Sequence, residues 1–360
     1  MIGASTAYFL TRRGVMATVF ERSRLACAAS GKAGGFLALD WCDGTPLEAL
    51  ARRSFALHAR LAEEVDGDWG YRRLTTYSGS VGLGRRRSLY GVEWLSPSVA
   101  VNQRLGSTAT TAQVHPERFT AAMMTVAEAQ GAELRLGQVT GVVRRKDGKT
   151  VTGVEVDGEV VEGDAVVIAL GPWSILAAEW LPLPAVFGLK GHSLVFETGA
   201  KVPAEALFAE CREGNGTVQA PELFPRSDGT TYVCAISTES PLPIDPARVV
   251  PDPGAIERLR AMCSELSPTL ANAKILATQA CYRPITQDGL PLIGRIAGLE
   301  SAYIATGHSV WGILNAPATG EAMAELILDG TARSVDLSAF EPARLSPFDP
   351  ARLRRSPEND

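Results

Sequence analysis

The residues best placed to do chemistry stand at the start of the chain, at Gly3, Ala4, Ser5, Ala7 and Glu21. Small residues let a helix lie close to a sheet, and a helix N-terminus offers unpaired N–H groups and positive potential to a pyrophosphate. An acidic side chain about 20 positions later receives ribose hydroxyls in dinucleotide sites, and Glu21 keeps that spacing from Gly3. Further on, AVVIAL at 165–170 is a continuous apolar run, as expected of a strand buried on both faces, and it ends in Gly171-Pro172-Trp173. Gly171 could admit a ligand to the backbone or be a plain turn glycine. No catalytic triad or paired carboxylates stand out. The dispersed His58, His115, His192 and His308, with no H-E-x-x-H, predict no metal site.

These groups need elements to hold them. The opening helix is predicted to run to about Arg13 and stop at Gly14, and ATVF at 17–20 reads as a short buried strand that delivers Glu21 at its C-terminal end. Together they form the second half of a dinucleotide-binding βαβ unit. The fingerprint is strand, G-x-G-x-x-G, helix; here Met1-Ile2-Gly3 retains only the third glycine. The first strand and two phosphate-facing glycines are missing, so a misplaced or alternative start is expected. Helical spacing recurs at 45–65, 117–130, 254–266 and 317–328, and strand-like segments at 71–84, 134–136, 139–143, 151–156, 192–196, 230–236 and 302–305. Asp147-Gly148 and Asp157-Gly158 read as hairpin turns. The polar, Pro-rich end from Arg344 onward is expected to be disordered.

A chain of 360 residues, 46% hydrophobic and 21% charged, can bury a sizeable core and is expected to form two domains. The net charge of −5 argues against a nucleic-acid partner, and the basic runs at 85–87, 144–146 and 352–355 read as solvated surface. Six scattered cysteines without a C-x-x-C pair suggest reduced thiols and a cytoplasmic location. No apolar run reaches the roughly 18 residues a membrane span needs, and the amino terminus is not a signal peptide.

The segment CYRPITQDGLPLIG at 281–294, followed by YIATGHSVWGILNAPATGEAMAELI at 303–327, resembles the C-terminal signature of D-amino-acid-oxidase-like FAD-dependent oxidoreductases, which include glycine oxidase and sarcosine oxidase. Four further segments match in order: 3–21, ASGKAGG at 29–35, VHPERF at 114–119 and AVVIALGPWS at 165–174. The resemblance implies an α/β fold: a Rossmann-like FAD-binding domain at 1–66, 110–186 and 280–342, interleaved with an α+β substrate domain on a largely antiparallel sheet at 67–109 and 187–279, and a tail at 343–360. It implies FAD, with Gly3 at the pyrophosphate, Glu21 at the adenosine ribose, Val139 at the adenine, and Arg22 among the cofactor-binding residues. Ser30, Gly31, Lys32, Gly34, Gly35 and Phe36 would lie under the flavin ring, with Gly171 and Trp173 at a second contact. Gly307, His308, Ser309, Gly312 and Ile313 would wrap the far end of the ring.

The same resemblance implies oxidation of an amino acid or secondary amine at its C–N bond by hydride transfer, with oxygen as acceptor. Arg283 would clamp the substrate carboxylate, a task a planar guanidinium suits, unless it is spent on an ion pair with Asp288. Tyr282 and His308 join it as candidates, His308 rather as packing against flavin than as a base; Lys190, His192 and Trp311 are candidates for the pocket wall. Cys281 falls where sarcosine oxidase carries covalent flavin, or is simply a small buried residue. Two other readings stay open. Glu21 alone would also suit an NAD-dependent enzyme, and a chain lacking the phosphate glycines could be a non-catalytic binding protein.

Overall fold

The computed structural model describes residues 1–84 and 87–355; Arg85 and Arg86 of one basic run, and the end of the expected tail at 356–360, lie outside them. The opening helix is Ile2–Thr11, and Ala4 to Leu10 are all buried. Its small residues let the helix Gly312–Asp329 cross it at close range: a Cβ on Gly320 would stand 2.6 Å from the Ser5 carbonyl carbon. Only glycine permits that crossing, which joins the two ends of the chain. The amphipathic helix Glu48–Glu64 packs on Gly312–Asp329, burying Leu50, Phe55, Leu57 and Leu61. Each such side chain contributes about 1.5–3 kcal/mol through burial.

The expected nucleotide-binding half consists of small sheets. Thr18–Glu21 pairs in parallel with Glu133–Leu136, and Val166–Ile168 pairs in parallel with Ala302–Thr306, which Leu292–Arg295 joins antiparallel. Val139–Arg144, Val151–Val156 and Glu159–Glu162 form an antiparallel meander. Its second turn has Asp157 at φ 50° and Gly158 at φ 87°, the left-handed pair that a two-residue hairpin turn requires.

The other half is an eight-stranded sheet, antiparallel except where Glu205–Arg212 runs parallel to Thr75–Val81. From one edge it runs Lys274–Ile285, Phe187–Glu197, Thr230–Thr238, Glu222–Pro225, Glu205–Arg212, Thr75–Val81 and Ala100–Gly106, with Val218–Gln219 beside Glu205–Arg212. The edge strand Lys274–Ile285 passes through residue 280, so a domain boundary placed there cuts a continuous strand. One face is covered by the helix Ala255–Leu266 through Leu259, Met262 and Leu266. The other face carries the candidate site.

One expectation needs correction. Residues 343–348 are ordered by contact: the Phe348 N–H donates to the Leu183 carbonyl at 2.8 Å, and Leu345 and Phe348 pack on an apolar cluster that includes Leu181 and Leu183. The polar composition of this stretch hid two apolar anchors.

Candidate active site

Side chains alternate across a strand, so the edge strand Lys274–Ile285 splits the sequence candidates between two faces. Gln279, Cys281 and Arg283 share one face; Ala280 and Tyr282 share the other. Arg283 crosses its neighbour at Gly191, where a Cβ would lie 3.6 Å from the guanidinium carbon, and donates to Ser237 Oγ at 2.9 Å. Ser237 faces Arg283 because of a β-bulge at Ile236, a non-glycine residue at φ 58° whose extra position shifts the alternation by one. Such a strained position costs of the order of 1–3 kcal/mol and gathers at functional sites. The ion pair expected as an alternative does not form, since Asp288 is held instead by Arg344 at 2.6 Å.

On the same face, the edge-to-edge pairing sets Glu222 beside Cys234, and Phe224 beside Tyr232. Phe36 stacks on Phe224 with centroids 5.3 Å apart, Trp41 meets Phe208 at 4.8 Å, and Trp311 stands 6.5 Å from Trp41. The segment 30–36 therefore lies on this face, as the glycines require: a Cβ on Gly34 would sit 2.3 Å from the Phe224 ring, and one on Gly35 only 2.0 Å from the Val114 carbonyl oxygen. Gly31 likewise approaches the Ala26 carbonyl too closely for a side chain. Lys32 Nζ reaches the Ala280 carbonyl at 3.4 Å, bringing the first stretch onto the edge strand.

Tyr282 is a correction. It is buried on the opposite face, and its hydroxyl donates to the Pro241 carbonyl at 2.5 Å. Lys190 and His192 lie there too, and both hold Asp252: Lys190 pairs with its carboxylate, while its N–H donates to His192 Nε2 at 3.0 Å. These three candidates are engaged in fastening the loop 239–254 rather than in facing Arg283. Trp173 serves the same loop, its indole N–H donating to the Pro243 carbonyl at 2.7 Å, and Arg22 donates to the Ile244 carbonyl at 3.2 Å.

The remaining candidates gather around the start of the opening helix. Gly3 lies in its first turn, and a Cβ there would touch only Ala169, at 3.6 Å. That turn carries no acidic residue and no side-chain cap, so its N–H groups stay available to an anion. Glu21 ends its strand beside it, accepting from the Ser23 N–H at 3.1 Å. Gly137 N–H bonds to the Glu21 carbonyl at 3.0 Å, which carries Val139 to the same end. The Met1 amino group donates to Ser30 Oγ at 2.9 Å. Gly171, at φ 57°, faces open space, and its carbonyl accepts from Thr306 Oγ1 at 2.9 Å.

Gly307, at φ 80°, turns the chain tightly against Thr286. His308 follows, buried, with Nε2 3.1 Å from Thr319 Oγ1. Burial, and next the Met1 ammonium, push its pKa down to about 3, so it is neutral and poorly suited to act as a base near pH 7. Ser309 is left-handed at φ 49°, and the helix Gly312–Asp329 then begins without an acidic first turn, with Ile313 buried. Burial raises the Cys281 thiol, outweighing Arg283 and Lys32, so it is held as a thiol. None of the six cysteines forms a disulfide, and no group of three or more His, Cys, Asp or Glu residues suits a metal among the described residues. No helix among them is long and apolar enough to cross a membrane.

Sequence reasoning missed the aromatic wall of Trp41, Phe208, Phe224 and Tyr232, and it missed Glu222. An acidic residue alternating with Phe224 in a strand-like run was the available signal.

The uncapped helix start and the acid beside it, in a mixed α/β architecture, suit a dinucleotide cofactor. The sequence profile of the FAD dependent oxidoreductase family matches residues 1–326, and the chain belongs to that family. A Schizosaccharomyces pombe protein, named only provisionally as an oxidoreductase, is 31% identical over 94% of this chain and 95% of its own. Glycine oxidase of Geobacillus kaustophilus is 27% identical over 96% of this chain and 94% of its own. The crystal structure of glycine oxidase from that organism matches with a TM-score of 0.80, at 25% identity, over 95% of this chain and 96% of the other. L-proline dehydrogenase from P. horikoshii shares the fold, with a TM-score of 0.76 at 21% identity over 95% and 94% of the two chains.

The residues present fit FAD. The anion-ready helix start, the Glu21 carboxylate without a basic ion-pair partner among the described residues, and the empty space above Gly171 are what phosphate, ribose and a flat ring ask of backbone and side chain.

Proposed function

We propose that the protein oxidises the C–N bond of a small amino acid or secondary amine, with oxygen as the electron acceptor. FAD, when bound, accepts the hydride and so supplies the difficult chemistry. The chain's own part is binding and orientation. Gly3 and the helix start would hold the pyrophosphate, Glu21 the ribose and Val139 the adenine, with Arg22 also among the cofactor-binding residues. The segment 30–36, Gly171, Trp173, and Gly307 to Ile313 would frame the ring.

Arg283 is the observation that carries this reading. Its guanidinium is part-buried on the aromatic face, positioned by Gly191 and Ser237, and free of a carboxylate ion pair among the described residues. Burial lowers its proton affinity, but nearby groups, Glu222 among them, more than restore it, so it stays charged. A planar cation in that setting suits a bidentate carboxylate. Phe36, Phe224 and Tyr232 form a stacked aromatic wall on the same face.

The test is anaerobic titration of the holoprotein with glycine, N-methylglycine and proline, following loss of flavin absorbance, then hydrogen peroxide on admitting air. Arg283→Met should raise KM by about 10²–10³-fold, the cost of losing a bidentate charge-assisted pair. Equal turnover of amines without a carboxylate, with no effect of the variant, would overturn the reading.

A further inference from the structure

Arg283 is not the sole charge on its face. A single row of paired residues crosses the sheet there, from Ser78 through Phe208, Glu222, Cys234 and Ser193 to Gln279. Within that row Glu222 is the one carboxylate. The Cys234 thiol donates to Glu222 Oε2 at 3.5 Å, and Phe208 and Phe224 flank it. Glu222 and Arg283 act on each other electrostatically, yet no ion pair joins them among the described residues. A half-buried acid and a half-buried cation that share one face without pairing form a two-point receptor for a ligand that carries both charges. An α-amino acid is such a ligand.

We propose that Glu222 binds the amine nitrogen of the substrate and takes one proton from it. This rests on the reading that Arg283 holds the carboxylate. An N–H bond of the ammonium breaks with its electron pair left on nitrogen, and an O–H bond forms on Glu222. The neutral amine is then ready for oxidation, and no further reactant is consumed. The surroundings suit a proton acceptor. Burial raises the Glu222 pKa, partly offset by Arg283 and the Cys234 hydrogen bond, which brings its basicity closer to that of an amine. The other titratable groups facing it are Cys234 and Tyr232, which burial drives well above their ordinary values and leaves neutral. Beyond Arg283 come Cys281, also raised by burial, and Lys32. Glu222 is therefore the only group of this set able to receive a proton near pH 7.

Two isosteric ligands separate charge from shape: trimethylglycine, with a permanent cation, and 3,3-dimethylbutanoate, its neutral-carbon counterpart. Calorimetric titration of the holoprotein should show trimethylglycine binding about tenfold more tightly, the scale of one charge-assisted contact. Glu222→Gln should bring the two to equality, and Arg283→Met should weaken both. In the wild type the preference itself is a readout that does not require the variant to fold. With oxidisable substrate, Glu222→Gln should lower kcat/KM at neutral pH and recover it about tenfold per pH unit toward the amine pKa. A wild type indifferent to the two ligands, or a Glu222→Gln protein that keeps the preference, overturns the proposal while leaving the carboxylate reading intact. If Arg283→Met changes neither affinity, or neither ligand binds, the carboxylate reading falls and this proposal with it.

Discussion

Replacing Asp252 by Asn should unfasten the loop 239–254. Asp252 accepts from Lys190, from Thr238 Oγ1 at 2.6 Å and from Ser240 Oγ at 2.9 Å. Lys190 is only 6% exposed, so the amide would leave a buried ammonium without its counter-charge. Breaking a buried pair this way costs about 3–5 kcal/mol, but the Asp252 side chain is 25% exposed and solvent screens part of it. We expect a loss of about 2 kcal/mol, a Tm lower by roughly 3 °C in a chain of this length. Proteolysis within 241–251 should quicken, because the Pro241, Pro243 and Ile244 carbonyls that anchor to Tyr282, Trp173 and Arg22 depend on the same fastening. Burial raises the Asp252 pKa, but the Lys190, Thr238 and Ser240 hydrogen bonds outweigh it and bring it down to about 2. Its contribution is thus complete above the ordinary carboxylate range and is lost as pH falls through about 2. Thermal melts should find that Lys190→Met combined with Asp252→Asn recovers most of the loss. An unchanged Tm in the single variant, or a double variant no better than the single one, would refute the argument from an unpaired ammonium.

Gly34→Ala should destabilise the holoprotein by about 2 kcal/mol through overpacking, because its Cβ would meet a Phe224 ring clamped between Phe36 and Tyr232; urea unfolding measures this. Burial pushes His58 down to about 4 and His308 to about 3, so the unfolded chain binds protons that the native chain refuses. Stability should therefore fall as pH drops below about 6.5, by up to about 1.4 kcal/mol per pH unit for each residue. Denaturation at several pH values should show a shallower slope in His58→Gln. Trichloroacetic acid should leave yellow colour in the supernatant, since burial keeps Cys281 as a thiol; colour retained in the pellet would show covalent flavin instead.

The local sequence already determined the pieces that depend on neighbours along the chain. Small residues at 3–7, the delivery of Glu21 and the left-handed turn at Asp157-Gly158 follow from backbone sterics and short-range spacing, whereas the opening helix ends at Thr11, short of the stop expected at Gly14. The family signature at 281–327 brought FAD with it. What tertiary structure decided was which residues share a face. Tyr282 adjoins Arg283 in sequence, yet a strand's alternation turns it away, while a bulge at Ile236 turns Ser237 toward it. Glu222 reaches that face through cross-strand pairing among segments that sequence distance keeps apart. Register in a sheet is fixed by the burial of whole faces, a property of all the strands together.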